Sequence, residues 1–242
     1  MEKEPADRLG LAIAAASTGT LADIAAGGGA AGTAAGGLAS IGVLVVDRFV
    51  GVVRRHRQER AGRMLAVAAE VLGGLDILEE RTTADDERVE LLGRILEAAV
   101  RTPLEEKIRA LGRVLGEGLS QDGDVSEAMV LATALADIEA PHVAVLQLLY
   151  EQPGPPAELL RAGIDRATGW EATAVAAALP NLGDVVDGLL AVLGGRGLLK
   201  DSGGVPYPGG VGPAVWVATD LGRRCLFLLA EPDETSTESG ER

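Results

Sequence analysis

The sequence predicts a mainly α-helical protein, and three observations carry that expectation. Aromatic residues make up only 2% of the chain, so its core must be assembled from Ala, Val and Leu, which suit closely packed helices. Apolar residues recur at intervals of three and four through the middle of the chain, behind residues that cap helix starts. Finally, 23 uncharged residues, Ile24 to Val46, stand between Asp23 and Asp47. The predicted order is a Gly/Ala-rich hydrophobic segment over 1–53, a helical bundle over 54–140, a C-terminal domain over 141–230 and a disordered acidic tail over 231–242.

The uncharged run reads IAAGGGAAGTAAGGLASIGVLVV. Gly28, Gly32 and Gly36 lie four apart, and Ser40 continues the series. On a helix this spacing lines small residues along one face, where two backbones approach closely, as in small-xxx-small packing between membrane helices. The run is about as long as a helix needs to cross a hydrocarbon core of roughly 30 Å. Its seven glycines would each cost a water-exposed helix about 1 kcal/mol relative to Ala. In a bilayer an unpaired backbone group costs several kcal/mol, so helix is the favoured state there and glycine is tolerated.

A membrane-inserted glycine-zipper helix is therefore expected. The alternative is a soluble helical hairpin or oligomerising arm, with uncharged Leu9–Ala22 as the other limb. MEKEPADR, which carries more acid than base, does not suit a secretory signal. Arg48, Arg54, Arg55, Arg57 and Arg60 follow the run, with His56 among them. The positive-inside rule places that cluster in the cytoplasm beside anionic headgroups.

Between Arg57 and Ala140 the periodicity predicts four amphipathic helices. The first spans RAGRMLAVAAEVLGGLDILEE, continuous with the N-terminal helix in one reading. The second starts at Thr83 with Asp86 as a capping pair and carries Val89, Leu92, Ile95, Leu96 and Ala99 on one face. Thr102-Pro103-Leu104-Glu105 opens the third, with Ile108, Leu111, Leu115 and Leu119 as its stripe. Asp124 with Glu127 opens the fourth, through Met129, Leu131, Leu135 and Ile138. Short connections imply antiparallel neighbours, and Glu105–Arg109 reads as an i,i+4 pair on a solvated face.

Beyond Ala140 the pattern changes. A helix over His142–Tyr150 is followed by Gln152-Pro153-Gly154-Pro155-Pro156, then helical segments at Ala157–Ala167, Trp170–Leu179 and Gly183–Leu193. LLKDSG and AVWVAT read as two strands of a hairpin around a Gly/Pro-rich loop, and Thr219–Arg224 opens a last helix. Over residues 141 to 230 this order resembles the winged-helix fold of the helix-turn-helix class. LLAVLGGRGLLKDSGG followed by VWVATDLGRRCLFLL is similar to the end of many bacterial winged-helix regulators.

The resemblance implies DNA recognition through LGDVVDGLLAVL, but the charges there point elsewhere. Val185, Val186, Leu189, Leu190 and Leu193 are spaced for burial, which leaves Asp184, Asp187, Gly188 and Ala191 outward. No basic residue lies between Ala167 and Val192. Reading helices carry Arg, Lys, Asn or Gln toward base edges, whereas two carboxylates repel the groove. A protein contact is the expectation for this face.

Enzyme chemistry finds no constellation. The net charge of −14 opposes non-specific nucleic-acid binding. The one cysteine, Cys225, rules out an internal disulfide or a multi-cysteine metal site and reads as buried packing. His56 and His142 lack partners at ligand or triad spacing. Asp122–Glu127 lacks the glycine position and terminal Glu of a calcium loop, so Asp124 reads as a helix cap. Phosphate-loop and nucleophile-elbow motifs are absent from the sequence.

No catalytic, cofactor or metal residue is assigned. The chain reads as a non-enzymatic, membrane-associated adaptor or regulatory protein, with its bulk in the cytoplasm, a protein partner and self-association through the small-residue ridge. Two alternatives stand beside it. One is a cytoplasmic winged-helix transcriptional regulator with an oligomerising arm. The other is a membrane-disrupting effector built on zipper segments.

Overall fold

Helix α1 (Ala39–Leu72) runs unbroken for 34 residues and stops at a glycine pair. Gly73 takes φ +87°, a left-handed conformation that a side chain disfavours. Its N–H donates to Glu70 O at 3.2 Å, and Gly74 N–H donates to Ala69 O at 2.8 Å. Those two bonds satisfy the last carbonyls in a Schellman turn. The single helix expected from Arg60 to Glu80 is thus two helices, because Gly73-Gly74 acts as a stop and not as helix interior.

The computed structural model describes residues 39–151, 169–202, 206–207, 210–211 and 214–230, with side chains from Val50 onward except between 203 and 213. Gly28, Gly32, Gly36, a hairpin with Leu9–Ala22, the helix at Ala157–Ala167 and the tail lie outside the described residues. Ser40 lies in α1, but its side chain lies outside them. After α1 come α2 (Leu75–Thr82), α3 (Asp86–Arg101), α4 (Glu105–Gly118), α5 (Val125–Ala136) and α6 (Ala140–Glu151). Then follow α7 (Ala172–Ala178), a 3-10 turn over Pro180–Val185, α8 (Val186–Gly195), four short strands and α9 (Asp220–Ala230). The architecture is mainly helical with a small antiparallel sheet.

Helix α4 is the centre. Its expected stripe, Ile108, Leu111, Leu115 and Leu119, is fully buried, and α1, α3, α5 and α9 pack around it. Contact with α1 is close because of two glycines. A Cβ at Gly112 would lie 2.6 Å from Met64 O, and one at Gly116 would lie 2.6 Å from Val71 Cβ. Glu105 also pairs with Arg63 of α1 at 3.1 Å.

Two expectations for α3 are corrected. Asp85, not Thr83, caps it by accepting from Arg88 N–H at 2.9 Å, while Thr83 Oγ1 donates back to Glu79 O. Val89 is half exposed, because the core face turns through Leu91, Ile95, Ala98 and Ala99. By contrast, Asp124 caps α5 as expected, accepting from Glu127 N–H at 3.0 Å. For α4 the expected start is corrected: the N-cap is Leu104 and not Thr102, with Pro103 outside the helix, while Thr102 Oγ1 accepts from Leu104 N–H just ahead of it.

Helices α5 and α6 meet at 110° around Asp137–Glu139. Beyond them, β1 (Leu199–Asp201) pairs antiparallel with β4 (Trp216–Ala218), Lys200 opposite Val217. Trp170 forms an isolated bridge to Trp216 on the other side of β4, so the helix expected from Trp170 begins only at Ala172. Within the intervening loop β2 (Pro206–Tyr207) pairs with β3 (Gly210–Val211). One hydrophobic cluster runs from Met64 in α1 to Leu229 in α9. Among the described residues no single helix is long and apolar enough to cross a membrane.

Candidate interaction site

The 3-10 turn changes how α8 presents itself. Pro180 opens the turn and delays the α-helix to Val186, so Val185 is 53% exposed and not buried as its spacing predicts. Val186, Leu189, Leu190 and Leu193 do reach the core. Asp184, Asp187, Gly188 and Ala191 are all exposed. Within α8, Gly188, Ala191 and Gly195 follow one another at three and four residues, which lines them along one stripe. A Cβ at Gly188 or Gly195 would meet nothing within 4 Å, so this small-residue stripe is open, with exposed Asp184 and Asp187 beside its start.

Its far end opens onto a second surface. Gly195 and Arg196 line a groove of about 400 Å³ with Met129, Val130 and Thr133 of α5 and Glu87 of α3. Val130 is 54% exposed there. Arg196 pairs with Asp137, and Glu87 is the other charged residue beside the apolar Met129, Val130 and Ala134 of the lining. A flat, small-residue helix face running into an apolar groove suits docking of a partner's side chains, and it offers nothing to a phosphate backbone. On β1, exposed Lys200 is followed by Asp201, whose carboxylate accepts from Val215 N–H at 3.1 Å.

A buried polar junction holds this surface on the bundle. Lys107 of α4 is 1% exposed. Its Nζ donates to Ala136 O at 2.8 Å, Ile138 O at 2.7 Å and Glu139 Oε1 at 3.0 Å. The ammonium therefore closes the carbonyl end of α5, where a cation is favoured by the helix dipole. Burial pulls its pKa below the ordinary lysine range, while the hydrogen bond and charge of Glu139 oppose that. Thr102 Oγ1 donates to Glu139 Oε2 at 3.1 Å, and Glu139 N–H donates to His142 Nδ1 at 3.1 Å. Desolvation lowers the His142 pKa, in keeping with a ring nitrogen that must stay unprotonated to accept.

Sequence reasoning missed Lys107. Cys225 is fully buried, and burial pushes its thiol up to about 12. Arg113 donates to Leu228 O at 2.8 Å and Arg224 pairs with Glu127, which fixes α9 to the bundle. A cleft of about 240 Å³ beside that pair is lined by Glu117, Asp122, Asp124 and Glu127.

The basic cluster stands apart from all of this. Arg54, Arg55 and His56 are exposed on α1, ahead of Ala61, the first described buried residue of the helix. Arg60 is partly engaged already, donating to Val100 O at 3.2 Å, and the side chain of Arg48 lies outside the described residues. No family model matches the chain, and no characterised protein or solved structure shows significant similarity to it.

Proposed function

We propose that the protein is a non-enzymatic, membrane-tethered adaptor whose C-terminal module has a winged-helix arrangement and binds a protein partner. The observation that carries the tether is α1, a single helix that starts within the uncharged run at Ala39 and ends in the core at Leu72. Residues 50 to 56 of that helix are exposed, so the core does not require them. Val46, the last residue of the run, lies 15 positions before Ala61, or about 22 Å along a helix. The bundle then stands on the cytoplasmic side, as the arginines require. The winged-helix reading draws support from the order α7, α8, β1, β4 and from Trp170 lying on the far side of β4. Exposed Asp184 and Asp187 beside the small-residue stripe of α8, which leads to the groove at Met129 and Val130, support a protein and not DNA as the partner.

Carbonate extraction of membranes from cells making the full chain tests the tether. The protein is expected in the pellet, and a chain lacking residues 1–53 in the supernatant. Recovery of the full chain in the soluble fraction without detergent would sink the reading. The second reading, a cytoplasmic transcriptional regulator, rests on the same strand and helix order. Specific duplex binding at moderate salt that is lost on truncation after Glu151 would favour it.

A further inference from the structure

Among the described residues, every arginine of the bundle and of the C-terminal module holds a hydrogen bond, an ion pair or another electrostatic contact. Arg54, Arg55 and Arg57 of α1 hold none there, although the chain carries a net charge of −14. Glu59, four residues beyond Arg55, is taken by His56 at 3.3 Å. Arg54 and Arg55 are exposed and Arg57 is half-buried. Arg54 lies seven residues before Ala61, and Arg57 seven before Met64, so both stand on the stripe of α1 that the bundle buries further along. At the edge of the bundle that stripe is cationic, and an anionic segment suits it as a cover.

Helix α9 sends the end of the chain toward this edge. Arg224 pairs with Glu127 in a cleft that Glu117 of α4 also lines. One turn further along α9, Leu228 O accepts from Arg113, one turn earlier in α4, at 2.8 Å. Thus α9 runs back along α4 toward Glu105, whose carboxylate holds Arg63 of α1. From Arg113 to Glu105 is about 12 Å of rise, and from Arg63 to Arg57 about 9 Å. Residues 231–242, EPDETSTESGER, follow Ala230 and carry five carboxylates against one arginine. Fully extended they reach about 40 Å, more than that path together with the roughly 8–10 Å between packed helix axes. The first eight residues, with three acids against two bases, are close to neutral by comparison.

We infer that residues 231–242 fold back onto Arg54, Arg55 and Arg57 as an acidic cover supplied by the same chain. The inference goes beyond the adaptor reading and does not depend on the tether. The contact requires no fold in the tail. Each exposed ion pair is weak, but linkage to α9 holds the carboxylates near the arginines at a roughly millimolar effective concentration. Such a cover keeps the arginines from other polyanions until salt or a competing anion displaces it.

The test reads the arginines themselves. Initial rates of phenylglyoxal modification are followed by mass spectrometry on the full chain and on a full-length variant carrying Glu231→Gln, Asp233→Asn, Glu234→Gln, Glu238→Gln and Glu241→Gln. The salt is kept at about 0.01 M, where charges act over about 30 Å. Arg54, Arg55 and Arg57 should react about threefold faster in the variant, a modest factor because exposed ion pairs are weak. Arg94, which is exposed and paired with Glu90 in its own helix, should keep one rate in both chains. At about 1 M salt the two chains should converge at all four arginines. Equal low-salt rates at Arg54, Arg55 and Arg57 in the two chains would overturn the cover and leave the adaptor reading untouched. Acceleration of Arg94 by the same factor would overturn it in favour of a general field of the tail. Protection that grows with protein concentration would overturn the same-chain contact in favour of a second copy's tail.

Discussion

At the scale of single residues, His142 and Cys225 give the sharpest expectations. His142 accepts the Glu139 N–H only while its ring is neutral, and its folded pKa lies below the ordinary 6.5. The unfolded chain therefore takes up the proton first as pH falls. This contribution to stability is complete above 6.5 and is lost as pH drops from there through the folded value. Urea midpoints at pH 7.5 and 5.5 should differ more for the wild type than for His142→Asn, whose amide can still accept at the helix start. Equal differences would show that the histidine is not coupled to folding. Cys225, fully buried with its thiol raised to about 12, should resist iodoacetamide at pH 8 in the native protein and react on unfolding. Fast native alkylation would place it at the surface. The packing role of Cys225 was legible from LGRRCLFLL. The lysine at 107 was not, since its acceptors lie about 30 residues away and no local pattern announces them.

At the scale of elements, glycine has opposite meanings in α1 and α4. Gly62 is exposed, and a Cβ there meets nothing within 4 Å, so Gly62→Ala should stabilise by about 0.5–1 kcal/mol through helix propensity. Gly116 has Val71 Cβ at 2.6 Å from its ideal Cβ. Gly116→Ala should therefore destabilise by about 1–3 kcal/mol from overpacking, despite the same gain in propensity. Thermal or urea melts of the two variants should move in opposite directions, and a shift of both upward would refute the close α1–α4 contact. The cap at Asp124 and the stripe of α4 were legible because both are local rules. The stop at Gly73-Gly74, the turn to Asp85 and the exposure of Val89 and Val185 were less so. Each depends on one residue's dihedral or on which neighbour wins a hydrogen bond, and apolar spacing is blind to both.

At the scale of the whole molecule, the cluster from Met64 to Leu229 joins what the sequence presents as two regions. Hydrogen bonds and ion pairs add to it through Arg113, Arg196 and Arg224. The expected consequence is one cooperative unfolding transition by calorimetry, with a fragment ending at Glu139 failing to fold. Two separated transitions would show independent halves. Removal of residues 1–53 should leave the melting temperature nearly unchanged, because among the described side chains burial along α1 begins at Ala61. The mainly helical class was legible from composition and periodicity. The exposure of Asp184, Asp187, Gly188 and Ala191 was legible, but the continuation of that face into a groove with α5 is a tertiary fact. The shared core also imposes an order of events during synthesis. Leu226, Leu228 and Leu229, which close it, follow Ala61 by more than 160 positions. At roughly 5–20 residues per second, ribosomes need about 10–30 s to deliver them. The uncharged run emerges long before that. On the tethered reading it is captured by the bilayer while the bundle helices are still unpaired, so the fold completes at the membrane surface.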